Sequence, residues 1–230
     1  MGNCLVTKLK GIVNNSNLPK ITDYENSVDL GLPSGLRWGK KNIDLTTADK
    51  FAASEIQYMC SYFSWGNLDG YNPVNDSFSN IYTFDATAYS STPGAALLEN
   101  LPDGQDAARY ILGGNWRMPT KEELSELNNN TVYVDADGEE ISGTNKLITI
   151  DGVVGVRRKS IINGNTVFFP CSGFGANADL TAKGSIGIIP TRTKYDSSEC
   201  ICYLFNSNTI YAYSTSYKYR GMSIRPVIKF

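Results

Sequence analysis

The side chains that do chemistry in proteins are scarce in this chain of 230 residues, and those present are poorly spaced for it. There are no histidines. That removes the commonest general base and the commonest transition-metal ligand, and it rules out Ser-His or Cys-His activation of a nucleophile. Glu122 and Glu123 are adjacent, so on a helix they point to different azimuths and cannot act as a carboxylate pair. Glu139 and Glu140 flank a turn, where solvation is the simpler role. The five cysteines are Cys4, Cys60, Cys171, Cys200 and Cys202; the count is odd and no C-x-x-C occurs. Neither a disulfide framework nor a zinc site follows from that pattern. Cys200 and Cys202, two apart, fall on one face of a strand and are expected as packed free thiols in a reducing compartment. Residues 67–104 have the Asp and Asn content of a calcium loop but not its ligand ladder. The expectation is a protein with no catalytic residues, no metal and no cofactor. No Gly-rich phosphate loop leads from a strand into a helix.

What the composition does offer is contact surface. There are 14 tyrosines in a chain of net charge −2. Tyr supplies a rigid apolar ring with a polar tip, suited to stacking on sugars or touching protein. The candidate ligand-binding residues are Arg192, Lys194 and Tyr195, together with Tyr211, Tyr213, Tyr217 and Tyr219. Tyr211 and Tyr213 are expected to share a strand face, and Tyr217 and Tyr219 to lie in a loop. The competing reading is that these rings pack on their neighbours at a sheet surface. No run of like charge marks a nucleic-acid or anionic-membrane partner, and no segment is long and apolar enough to cross a bilayer as a helix.

The elements that must position these residues are organised around Gly113-Gly-Asn-Trp-Arg-Met-Pro-Thr-Lys-Glu-Glu-Leu124. Gly113 and Gly114 mark a turn, and Trp116 is an anchor for the core. Pro119 bars backward extension of the helix that follows. Thr120 and Glu123 match a capping box, Leu124 and Leu127 share an apolar face, and Asn128 to Asn130 ends the helix. Upstream, Gln105 to Ile111 reads as a short helix, as does Asp49 to Cys60. Leu30, Leu32, Leu36 and Trp38 give strand, tight turn, strand. Residues 67–104 read as a long ordered loop held down by Tyr71, Phe78, Tyr82, Phe84 and Tyr89. Downstream the pattern is β. Hairpins are expected around Asp135 to Gly138, around Asp151 and around Asn163-Gly164, and strands over 200–205, 209–214 and 223–230. The fold class is α+β: twisted antiparallel sheets, two or three short helices and long ordered loops.

Residues 1–27 differ from this pattern. Leu5, Val6, Leu9, Ile12, Val13 and Leu18 dot a short strand-like arm followed by turn chemistry. A lone strand is not stable by itself, so the arm is expected to dock on another sheet, in this protein or a partner. The domain division is thus an arm over 1–27 and one domain over 28–230. The opening residues carry no apolar run of secretory length, which implies assembly in the cytoplasm.

The segment Ala107-Ala-Arg-Tyr-Ile-Leu-Gly-Gly-Asn-Trp-Arg-Met-Pro-Thr-Lys-Glu-Glu-Leu124 resembles the signature of the Fibrobacter succinogenes major paralogous domain. Four further pieces agree in order: Val28-Asp-Leu-Gly-Leu-Pro-Ser-Gly-Leu-Arg-Trp38, Tyr62-Phe-Ser-Trp-Gly66, Gly164-Asn-Thr-Val-Phe-Phe-Pro170 with Gly173-Phe174, and Gly221-Met-Ser-Ile-Arg-Pro-Val227. The resemblance implies a C-type-lectin-like fold with no obligatory enzymatic activity, and makes Trp38, Trp65, Trp116, Arg117 and Pro119 its structural core. The chain departs from the family at Gly39 to Leu45, and again at Ile188 to Thr193, where the family carries a Tyr-Trp-Ser-Ser-Ser run. The calcium-dependent sugar triplets of C-type lectins are missing. The arm resembles the openings of virion proteins from crAss-like phages of Bacteroidales hosts. Together these imply a virion structural protein, a head fibre or capsid decoration. It is expected to be oligomeric (a dimer or trimer), held to other virion proteins by its arm, and to display an adhesive domain to a host or mucosal glycan or protein. The alternatives are a bacterial surface adhesin of the same family and, third, an enzyme of the formylglycine-generating-like fold.

Overall fold

The computed structural model of the chain describes residues 20–91 and 99–230, apart from the side chains of Tyr211 and Ala212. The arm residues Leu5, Val6, Leu9, Ile12, Val13 and Leu18 lie outside the described residues. The protein is α+β and mostly β, with open antiparallel sheets and few helices.

Helix α1 (Ile21–Glu25) leads into β1 (Ser27–Asp29), which pairs antiparallel with β2 (Arg37–Gly39). The helix belongs to the globule: Asp23 accepts the indole N–H of Trp116 at 2.8 Å, and Tyr24 packs on Phe230 with ring centroids 4.1 Å apart. Residues 20–27, expected in the arm, thus include Asp23 and Tyr24 packed on residues of the domain. After β3 (Tyr62–Phe63) comes the long loop with α2 (Ala86–Ser90), whose first turn is capped by Asp85 accepting from the Ala88 amide at 2.8 Å. A 3-10 turn (Asp103–Gln105) precedes α3 (Ala107–Leu112), and α4 (Lys121–Asn130) follows the Gly113-Gly114 turn. Four α-helices thus stand among the described residues, where the sequence indicated two or three. α1 and α2 are the unexpected ones, and α2 is five residues within a stretch whose Asn, Ser and Gly content reads as loop.

The remaining strands are β4 (Thr131–Val134), β5 (Ile148–Ile150), β6 (Val153–Ser160), β7 (Thr166–Pro170), β8 (Phe174–Ala176), β9 (Asp179–Thr181), β10 (Ile186–Lys194), β11 (Glu199–Asn206), β12 (Ile210–Tyr217), β13 (Met222–Ser223) and β14 (Val227–Ile228). β14 closes the first sheet on β2. β6 is the centre of another sheet, with β4, β5 and β7 paired to it. The Asn163-Gly164 hairpin joins β6 to β7, and its Asn163 and Asn165 amides both donate to the Asp29 carbonyl, capping the edge of β1. β4 makes the expected local hairpin over a short length: Val134 bridges Glu140, the Ile141 amide donates to the Tyr133 carbonyl and the Asp135 amide to the Glu139 carbonyl, while on its other side β4 ladders to β6.

Asp49 to Cys60 is irregular rather than helical. Lys50 has φ +64°, which interrupts a right-handed helix at its start, and Phe51 bridges Ile43. Ser54 and Gln57 side chains accept from nearby backbone amides, the competition that keeps such residues out of helices.

The third main sheet, β10-β11-β12, is the septum of the molecule. Along β11, Cys200 and Cys202 face a core containing Phe63, Trp65, Ala108, Met118 and Ile188. Tyr203 and Phe205 face another, with Trp38, Phe169 and the Leu124–Leu127 face of α4. β11 is buried on both sides, so it reads as a continuous apolar run instead of alternating. The long loop is closed over its own cluster of Phe78, Phe84, Tyr71 and Tyr82. The Phe84 ring lies directly on the backbones of Gly175 and Gly221, where an added Cβ would fall 2.4 and 2.6 Å from it.

Candidate functional site

Four of the tyrosines expected to make contact, Tyr195, Tyr213, Tyr217 and Tyr219, border one end of the septum sheet, around the turn between β10 and β11. Four features hold that turn. Asp196 accepts from the Ser198 amide (2.8 Å), the Ser198 hydroxyl (3.1 Å) and the Glu199 amide (2.8 Å), an Asx-type closure. Those backbone N–H bonds keep its carboxyl below the usual range. Behind the turn, the fully buried Lys218 ammonium donates to the carbonyls of Asp196 (2.8 Å) and Ser197 (3.2 Å). It also sits 4.7 Å from the centroid of the Trp65 ring, and burial lowers its pKa. Trp65 is fixed in turn by its indole N–H donating to the Thr191 carbonyl at 2.7 Å.

A groove opens on either side of the turn. The first has a volume of about 410 Å³. Its floor and walls are Tyr217 and Tyr219 from the end of β12 and the turn beyond, Ser197 and Ser198 from the β10–β11 turn, and Ala86, Tyr89 and Ser90 from α2. The Tyr217 and Tyr219 rings are stacked, 5.1 Å between centroids and 11° from parallel. The guanidinium of Arg220 lies 5.3 Å from the Tyr217 centroid and 4.5 Å from that of Phe174, tying the stack to β8. Tyr89 is buried and its hydroxyl donates to the Trp65 carbonyl at 2.8 Å.

The second groove, about 370 Å³, is lined by Tyr195, Tyr213 and Lys121 with Ile201, Ser214 and Thr215. The Tyr213 hydroxyl donates to the Ser125 hydroxyl, and the Lys121 ammonium stands 5.5 Å from its ring. Tyr195 is 59% exposed and Tyr213 41%.

Arg192 and Lys194 line neither groove. Arg192 donates to the Leu101 carbonyl and pairs with Asp103 at 2.9 Å, bracing the residues before α3 against β10. Lys194 pairs across from Cys200, and its amide donates to Asn100. The Tyr211 side chain lies outside the described residues; its backbone pairs with Leu204, beyond a register slip that begins at Cys202. Tyr217 ends β12 rather than lying in a loop. Sequence reasoning missed Tyr89, Ser90, Ser197, Ser198 and Lys218. Asp196-x-Ser198 was a legible turn signal, whereas a lysine buried behind it has no local signature.

The motif residues occupy the interior. Trp38, Trp65 and Trp116 are each buried, Pro119 is buried with its carbonyl accepting from the Arg192 amide, and Arg117 is half-buried against Glu123. Cys60, Cys171, Cys200 and Cys202 are buried free thiols. Burial pushes Cys60, Cys171 and Cys202 up to about 12 and Cys200 well above its usual value. Glu139 and Glu140 are exposed. Among the described residues no three His, Cys, Asp or Glu side chains gather as a metal site, and no helix is long and apolar enough to cross a membrane.

Comparison of the chain with family models, with curated proteins and with solved structures finds no match.

Proposed function

We propose that this chain is a non-enzymatic structural protein of a phage virion, a head fibre or capsid decoration. In this reading its C-type-lectin-like domain is displayed for adhesion to a glycan or protein of the host or mucosal surface. The fold-family part rests on the five sequence motifs in order, from residue 28 to residue 227. The adhesive part rests on one observation: a turn locked by Asp196 and Lys218, with a tyrosine-lined groove on each side. Rigid aromatic rings on an immobilised support lose little entropy on binding, which suits a contact surface. Trp38, Trp65 and Trp116 of the motifs sit in the core, while the residues lining the first groove lie outside the five motifs, a division in which the fold supplies the scaffold and the loops supply the function.

The virion assignment is tested by mass spectrometry of purified particles from a phage that carries the gene. The chain is expected among the particle proteins at a copy number commensurate with the head, and its absence there refutes the assignment. Cross-linking within the particles is expected to join residues 1–19 to another virion protein and to produce dimers or trimers of this chain.

A further inference from the structure

We infer that the groove beside Tyr217 and Tyr219 binds a neutral saccharide without help from a metal ion; the inference rests on the adhesive reading above and narrows it to one groove and one ligand class. Among the described residues no Asp, Glu, Lys or Arg side chain lines this groove, so none of them supplies a charge partner for a carboxylate or sulfate. The second groove differs on this point, since Lys121 borders it.

The lining offers two complementary surfaces. The Tyr217 and Tyr219 rings stack on one another, so their facing sides are covered and the pair meets the groove with an outer ring face and ring edges; Tyr217 is 41% exposed. An exposed aromatic face matches the C–H face of a pyranose, which packs on it much as an aliphatic group does. Opposite stand hydroxyls whose protons are already committed to the protein. Ser90 donates to the Thr87 carbonyl at 2.7 Å, and Ser198 donates to Asp196 at 3.1 Å. Each therefore presents oxygen lone pairs, and what they accept from is a donor, which a sugar hydroxyl supplies. A ring face that is apolar and a rim that donates describe a neutral hexose.

The groove is also ready-made. Its volume of about 410 Å³ falls in the range of roughly 300–1,000 Å³ common to ligand sites, enough for a short saccharide. Lys218 and Asp196 fix one wall, and the Tyr89 hydroxyl bonded to Trp65 fixes α2 as the other. Weak single-site affinity is expected, multiplied by the copies on a particle.

The test uses the full chain. Neutral gluco-, manno- and galacto-oligosaccharides, sialyllactose as the acidic probe, and an apolar peptide are titrated by calorimetry and by saturation-transfer NMR, each with and without EDTA. At least one neutral oligosaccharide is expected to bind at millimolar concentration or better, indifferent to EDTA, with saturation transferred to its ring C–H protons. Tyr217→Ala is expected to weaken it by at least about tenfold, one aromatic stacking contact. Tyr110→Ala, an exposed tyrosine on α3 that lines neither groove, is expected to leave it within about twofold. Both positions are exposed, and thermal melting of each variant checks that it folds. The inference is overturned if no neutral saccharide binds, if binding survives Tyr217→Ala or needs a divalent cation, or if sialyllactose or the peptide is the better ligand. Failure here with the chain present in virions removes this groove assignment alone. Saccharide binding by a chain absent from virions removes the virion reading and leaves the groove.

Discussion

Cys60, Cys171, Cys200 and Cys202 show how far burial alone changes a residue's chemistry. Their thiols face apolar packing, and desolvation raises the cost of the thiolate. In the native protein they are expected to resist a thiol-specific reagent that reacts fully in urea; rapid labelling of the folded chain at these four positions refutes the buried assignment. The same shift sets a pH dependence. Between the usual 9.0 and about 12, Cys60, Cys171 and Cys202 are ionised in the unfolded chain and protonated in the folded one. The folded state then binds more protons, so stability is fully present below pH 9 and falls as pH rises, by about 1.4 kcal/mol per pH unit for each thiol. Urea titrations at stepped pH are expected to show that slope, and to show it reduced when Cys171 is replaced by Ala. The cysteine spacing pointed to packed thiols for Cys200 and Cys202, because alternation along a strand is a local rule. It could not reveal that both faces of that strand are interior.

At the scale of elements, α4 is fixed at its start by side chains three residues apart. The Thr120 hydroxyl accepts from the Glu123 amide, and the Glu123 carboxylate accepts from the Thr120 amide while pairing with Arg117. Thr120→Ala is expected to cost about 1 kcal/mol in urea unfolding, and Glu123→Ala about 2 kcal/mol because it also strands Arg117. Equal losses would mean that the Arg117 contact contributes nothing. The β10–β11 turn depends on a distant residue instead. Lys218→Met keeps an apolar stem against Trp65 but removes the donors to Asp196 and Ser197. Amide exchange over residues 195–198 is expected to quicken by at least about tenfold, a loss of roughly 1.4 kcal/mol of local protection. Unchanged exchange would show that the Asp196 closure suffices by itself.

Across the whole molecule, the long loop is held by rings that reach glycine backbones far along the chain. Phe84 packs on Phe78 at 4.8 Å, on Tyr82 at 5.0 Å, and on Gly175 and Gly221. Phe84→Ala is expected to cost about 3–5 kcal/mol and to open residues 67–91 to limited proteolysis; a variant as resistant as the parent would show that the loop is held elsewhere. By itself the sequence determined the composition of the parts: the capped helix after Pro119, the Asn163-Gly164 hairpin, the aromatic ballast of the loop and the want of a histidine-based reaction centre. Those are readable because capping, turn chemistry and residue inventory act over a few neighbours. Tertiary structure alone decided which tyrosines come together. It put Tyr217 and Tyr219 against α2, and Tyr195 and Tyr213 beside Lys121. It turned Arg192 inward to Asp103 and laid β4 along β6. Those outcomes depend on contacts between residues distant in sequence, on a register slip in β12, and on an ammonium group buried behind a turn. Each is a property of packed surfaces meeting, and no local spacing rule encodes it.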